Sequence, residues 1–291
     1  MATKVAVFGS NGFLGSHIVK SLQNDPLYDV LELTSSWSAQ GKLAWYHPQY
    51  IFHCALVGNG HTEHLLDQFE LDAVVLRCAR NENATLVTFG TDASYAEYMY
   101  PHTEPFYMKG EPYKQWTNYA YQKRALLNIL QTGAVPMWYH FVLTNMFGPG
   151  FKLTDNHLMH DIVKKICDAD PDSTIKFGRP DFLREVLYID DVVKNVSQCV
   201  FGSQFGLHEV VNCGSSKKCL PIFDLVKTAC DVLKFDVDRC MWDREQQGHN
   251  AKWLDNTALI NHLGTNYADT PLAEAIRLTA DYYLEETKAR R

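Results

Sequence analysis

The chain lacks the signatures of secretion, membrane insertion and binding to a large anionic partner. None of its eight cysteines (54, 78, 167, 199, 213, 219, 230 and 240) forms a CxxC pair or a metal-finger spacing. Several sit in apolar stretches such as YIFHCALVG and VSQCVF, so reduced, buried thiols are expected rather than a disulfide framework. The opening MATKVAVFGSNG has no basic stretch leading into a long apolar region, and no apolar run has the length of a bilayer crossing. The expectation is a cytoplasmic protein without membrane association. An excess of positive charge is also missing: 27 Lys and Arg face 34 Asp and Glu, a net charge of −7. That balance speaks against nonspecific nucleic-acid or membrane-surface binding. It still allows a small anionic substrate, because a few local cations outweigh the global field at short range. Among the twelve histidines, neither the pair His61 and His64 nor the pair His157 and His160 has a third ligand at a telling spacing. No metal site is expected.

What is present is a rhythm. Apolar runs at 4–8, 28–33, 50–56 and 84–90 alternate with helical patterns at 13–23 and 65–80. A helix at 118–131 and a strand at 137–143 follow. Such alternation implies βαβ units and a parallel, doubly wound α/β (Rossmann) sheet. After Gly148-Pro149-Gly150 the pattern loosens: helices at 156–168, 190–201, 221–234 and 271–288, and an extended piece at 174–187. The division predicted is a doubly wound core over 1–150 and a smaller lobe over 151–291 that covers its carboxyl edge, where ligands bind in such sheets. One or two segments within about 184–214 (VLYI, VVNCG) return to the core sheet.

Directly after the first strand comes Gly9-Ser10-Asn11-Gly12-Phe13-Leu14-Gly15, a GxxGxxG pattern leading into a helix. A pyrophosphate needs a sharp turn, close backbone approach and helix N-terminal N–H groups, and glycine permits the first two. The second strand ends LELTSS with no acid at its tip, Glu32 lying within the strand. Small hydroxyls at Thr34, Ser35 and Ser36 leave room for a 2′-phosphate, although no arginine is there to clamp it. NADP(H) is favoured over NAD.

Tyr119 and Lys123 stand four apart, one turn along a helical face. A nearby cation eases loss of the phenolic proton, which a ketone under reduction needs as its oxygen becomes an alkoxide. Thr91, in LVTFGTDASYA, offers a hydroxyl at the preceding strand end. Taken alone, YxxxK is more often structural.

With these motifs the chain resembles the extended short-chain dehydrogenase/reductase family, and within it the GDP-L-fucose synthase branch. The likeness runs through VFGSNGFLGSHIV, HCALVGNG, GTDASYA and NYAYQKR. It continues through LTNMFGPG, DNHLMHDIVKKI, FGRPDFLREVLYIDDV, VVNCGS and AKWLDNTALINHLG. The resemblance implies Thr91 as hydroxyl partner, Tyr119 as proton donor and Lys123 as the ribose-binding partner. Gly9 to Gly15, Ser35 and Ala55 would surround the cofactor. Asn145, Leu158, Phe177, Arg184 and Lys252 would hold a nucleotide sugar, GDP-linked by the branch, with both cations near the pyrophosphate; each also has a plain reading, Phe177 as core and the cations as surface charge. A homodimer is implied too, with ALLNIL (125–130) as an apolar strip that could equally face the core.

The pattern breaks at one place. Epimerisation in that branch uses a cysteine shortly after the strand-end hydroxyl together with a histidine. His157 matches the histidine, but the cysteine position is Ala93. The glutamate of the related 4,6-dehydratases is replaced by the same alanine. Asp92 and Ser94 are poor substitutes, since alternate side chains of extended backbone face opposite ways. The resemblance therefore implies C4 reduction of a 4-keto sugar nucleotide, with 3,5-epimerisation lost or limited to one carbon through His157. A complete epimerase/reductase and a non-catalytic dinucleotide-binding sensor or scaffold are the alternatives.

Overall fold

Five of the predicted apolar runs become parallel strands of one sheet, the central ones covered on both faces. The structure is a computed structural model and describes all residues except 35–38, 59–63, 97–99, 115–116, 171, 216–218 and 291. In chain order its first half contains β1 (Thr3–Phe8), α1 (Phe13–Gln23), β2 (Tyr28–Leu33), α2 (Ala39–Tyr46), β3 (Tyr50–His53), α3 (Leu65–Glu82), β4 (Thr85–Thr91), α4 (Thr117–Gln131), β5 (Trp138–Leu143) and β6 (Met146–Phe147). The second half contains α5 (Leu158–Cys167), β7 (Ile175–Phe177), β8 (Leu183–Arg184), β9 (Leu187–Tyr188), α6 (Ile189–Ser197), β10 (Val210–Asn212), β11 (Leu220–Pro221), α7 (Ile222–Leu233), β12 (Cys240–Trp242), β13 (Ala251–Lys252), α8 (Thr257–Leu263) and α9 (Leu272–Ala289).

The central sheet has the order β10-β5-β4-β3-β1-β2, with every pairing parallel. It is the expected doubly wound α/β sheet. β4 and β5 are buried along their whole length, as strands covered on both faces must be. Two apolar clusters sandwich the sheet. One gathers Leu14, Ile18, Val19 and Leu22 of α1 with residues of α6; the other gathers Val75 and Ala79 of α3 with Leu127 and Leu130 of α4. Chain order reverses between β1 and β3, so a crevice opens at the carboxyl ends of those strands.

Of the segments VLYI and VVNCG, the second joins this sheet and the first does not. Val210–Asn212 joins β5, whereas Leu187–Tyr188 pairs with Met146–Phe147 in a separate two-stranded sheet. The pairing pins the start of the second-half elements to the end of β5. Beyond it α5, α7 and α9 enclose a third core with Phe147, Phe177 and Tyr188. The strip Ala125–Leu130 turns mostly inward: Leu126, Leu127 and Leu130 are buried, and Ile129 faces outward. All eight cysteines are free thiols. Among the described residues no helix is long and apolar enough to cross a membrane.

Candidate functional site

The loop after β1 is folded as tightly as its glycines allow. The Gly9 N–H donates to Leu33 O and the Gly12 N–H to Gly9 O, both at 2.9 Å. Gly9 has φ +78°, and a Cβ there would stand 2.7 Å from the N and Cα of Ala55, so the two predicted cofactor-contact positions abut. A Cβ on Gly15 would lie 2.8 Å from the Gly9 carbonyl carbon and collide with its oxygen. Leu14 anchors α1 in the core, while Asn11 is exposed and Phe13 packs edge-on against His17 and His160. The first turn of α1 has neither an acidic residue nor a side-chain cap, leaving its N–H groups and positive dipole end open to an anion. The Ser10 hydroxyl is buried with no hydrogen-bond partner among the described residues. An unsatisfied donor, an uncapped helix end and a backbone with no room for side chains together fit the pyrophosphate of a dinucleotide. At the tip of β2, Thr34 is exposed, and the Glu32 carboxylate is occupied by Gln23 of α1 at 3.1 Å. Ser35 lies outside the described residues.

Thr91 ends β4, and the chain turns at once through Asp92-Ala93-Ser94. Its hydroxyl accepts from the Ala93 N–H and donates to Asp92 Oδ1, at 3.3 and 3.2 Å. Tyr119 and Lys123 share one face of α4, with the ammonium 5.6 Å from the centre of the Tyr119 ring. The expectation that the cation frees the phenolic proton is outweighed in this geometry. Burial, with added fields from Tyr107 and Asp92, raises the Tyr119 phenol above its ordinary value. Burial also lowers the Lys123 ammonium, against the opposing influence of Asp72.

Asp92 is the centre of the polar arrangement, which the sequence did not suggest. Its carboxylate is 5 % exposed, accepts from the Thr144 hydroxyl at 2.8 Å and lies 3.8 Å from Lys252 Nζ. Asn145 donates to Thr144 Oγ and to Glu185 O. Lys252 and Arg184 are register partners on the parallel strands β13 and β8. The fold thus brings Thr91, Asn145, Arg184 and Lys252 around one carboxylate. Lys252 pairs with Asp92, and Arg184 reaches back to Leu183 O and lies over Phe182.

The other residues carried by resemblance have different surroundings. Phe177 is in the third core, its ring against Trp242, and Leu158 packs against the same cluster. His157 precedes α5 with its ring largely exposed, 3.7 Å from Asp155. Ala93 is buried, and its methyl group packs with Tyr113 and Ala120. Beneath Thr91 runs a buried polar column that sequence reasoning missed. The Thr91 N–H donates to Tyr107 Oη at 3.3 Å, which also contacts His140 Nε2 at 3.3 Å. His140 Nδ1 meets the Thr88 hydroxyl at 2.9 Å, and that hydroxyl donates to Tyr139 O. Thr88 has thus spent its hydrogen, so His140 donates from Nδ1 and accepts from Tyr107 at Nε2. Burial depresses the imidazole to about 3, consistent with this neutral ring. A histidine and a threonine among the apolar residues of adjacent strands were the available signal.

Among solved structures, a GDP-L-fucose synthetase from Naegleria fowleri bound to NADP superposes with a TM-score of 0.84 at 20 % identity, covering 98 % of this chain and 95 % of that one. A GDP-mannoheptose C4 reductase from Campylobacter jejuni with NADP bound gives 0.81 at 16 %, covering 97 % and 98 %. A UDP-glucose 4-epimerase from Thermotoga maritima gives 0.81 at 18 %, covering 98 % and 100 %. At these identities the likeness establishes the fold. No curated protein sequence matches the chain. The family model described as the NAD dependent epimerase/dehydratase family matches residues 5–214. The chain belongs to that family, and with it to the nicotinamide-dependent enzymes.

Proposed function

We propose that the protein is an NADPH-dependent reductase of the C4 ketone of a sugar nucleotide, GDP-linked, with 3,5-epimerisation impaired. The observation that carries this reading is the composition of the β4 terminus. Thr91 offers a hydroxyl beside Ala93 at the end of β4, Tyr119 and Lys123 share a face of α4, and Ala120 of that helix packs on the buried methyl of Ala93, where the resemblance would put an acid–base group. Bound cofactor supplies the hydride. Thr91, exchanging its bond to Asp92, orients the ketone oxygen, and Tyr119 gives it a proton. A phenol raised by burial stays protonated at neutral pH, which is the form a donor must have. Lys123 would hold the nicotinamide ribose, and the α1 loop the pyrophosphate. The absence of an acid free at the β2 tip favours the 2′-phosphate form. Support for a GDP-linked 4-keto sugar comes from GDP-sugar enzymes among the structural neighbours. His157, exposed at the start of α5, is the remaining acid–base candidate for exchange at one carbon. A homodimer is part of the proposal.

The test is oxidation of NADPH with 4-keto-6-deoxy sugars linked to GDP, UDP and dTDP. The reading predicts turnover with the GDP-linked ketone and its loss in Tyr119→Phe. Tight NADPH binding without turnover on any ketone would refute it and indicate a non-catalytic binder.

A further inference from the structure

A buried carboxylate on α3 has no part in the chemistry just described. Asp72 is 3 % exposed. Its Oδ1 accepts from His53 Nε2 at 2.8 Å and from Gln68 Nε2 at 2.7 Å, and its Oδ2 accepts from Gln122 Nε2. These partners belong to functional ground. His53 ends β3, two residues before Ala55. Gln68 accepts the Val57 N–H at 2.7 Å, fixing the segment on which the Gly9 turn rests. Gln122 immediately precedes Lys123 on α4. One carboxylate therefore ties the floor of the glycine loop to the helix turn carrying the lysine.

Charge adds a second argument. Neither amide brings a charge to the carboxylate. The groups facing Lys123 are Asp72 from α3, Cys54 beyond β3, His140 from β5 and the Tyr119 ring one turn earlier on α4. Burial keeps the Cys54 thiol neutral by raising it, and keeps His140 neutral by lowering it. Burial alone would raise Asp72 too, but the His53 bond and the fields of His53 and Lys123, with the Gln68 bond, hold it below the ordinary carboxylate value. Among the described residues, Asp72 is left as the counter-charge.

We infer that Asp72 is a positioning residue for Lys123: it fixes the lysine's helix turn against the cofactor floor and keeps the buried ammonium charged for the cofactor. This rests on Lys123 holding a nicotinamide nucleotide, as proposed above. A simple packing role would not move a titration, so the test is the pH dependence of NADPH affinity in the full chain, read by cofactor fluorescence. In Asp72→Asn the alkaline loss of affinity should begin about one pH unit lower than in the wild type, giving roughly tenfold weaker binding within that window, with little change at the acidic end. A curve weakened equally at all pH values would overturn the inference. Should the variant fail to fold, lysine-labelled wild type decides the matter, with the Lys123 signal identified by its loss in Lys123→Arg. It should remain protonated across the neutral range in which NADPH is bound, and loss of its proton within that range would overturn the inference. Failure of the wild type to bind NADPH at any pH would instead refute the cofactor reading, leaving the lysine titration to judge Asp72.

Discussion

Replacing Gly15 by alanine should cost the protein its cofactor affinity before it costs its fold. The added Cβ would collide with the Gly9 carbonyl and lie 3.2 Å from Ser10 Cα. These are backbone atoms of the same turn, so no side-chain rotation relieves the contact and the loop itself must open. Overpacking of this kind costs about 1–3 kcal/mol. Since the strain falls on the atoms that would face the pyrophosphate, and about 1.4 kcal/mol is tenfold, NADPH binding should weaken by roughly tenfold or more. Two neighbours calibrate the effect. Gly12→Ala meets only Gly9 O, at 3.1 Å, and should weaken binding less. Gly41→Ala, in α2 with nothing within 4 Å among the described residues, should leave binding unchanged and stabilise the helix by about 0.4–1 kcal/mol. The assay is an NADPH titration by fluorescence beside thermal unfolding of each variant. Wild-type affinity in Gly15→Ala, or equal losses in all three, would refute the argument that this loop carries the dinucleotide.

Other consequences concern the chemistry and its pH range. Tyr119→Phe should lower kcat by about 10²–10⁴ while leaving NADPH affinity within roughly threefold; an equal loss of affinity would point to a structural role. Ala93→Cys alone should not restore exchange at both C3 and C5, because the new thiol would be packed with Tyr113 and Ala120. It should destabilise by about 1–3 kcal/mol, and deuterium at both carbons, detected by mass spectrometry, would contradict the packing argument. Burial pushes the Glu185 carboxyl up to about 8, against the opposing bonds from the Leu254 and Ser215 N–H groups. The folded state therefore binds this proton more tightly than the unfolded chain, and stability should fall as pH rises from about 4.5 to about 8. Glu185→Gln should flatten that part of the Tm profile, and an unchanged slope would assign it elsewhere.

How much could be read in advance depended on whether a residue's reason was local. The glycines of the first turn answer to backbone sterics, and the four-residue spacing of Tyr119 and Lys123 follows from helix geometry. Ala55 was reached through resemblance, and the fold sets it directly against Gly9. By contrast, VLYI and VVNCG have the same apolar character. Only the tertiary choice of partner sends the first to Met146–Phe147 and the second to β5. Helix α2 went unread because AQGKLAWY carries little amphipathic pattern, and α8 because seven residues offer only Leu259 and Leu263 as buried signals. Phe177 matched a binding motif yet lies in a core, since a short apolar strand reads alike in either role. Asp72 sits one turn from Gln68 on α3, but its meaning comes from His53 and Gln122, distant in sequence.

The most direct test of the central claim is the spectrum of the product formed from NADPH and a GDP-4-keto-6-deoxy sugar in D2O. Thr91, Tyr119 and Lys123 without a cysteine at Ala93 predict a product whose C4 hydrogen is protium from NADPH, with at most one of C3 and C5 carrying deuterium. Deuterium at both carbons, or no reduced product at all, would contradict the account.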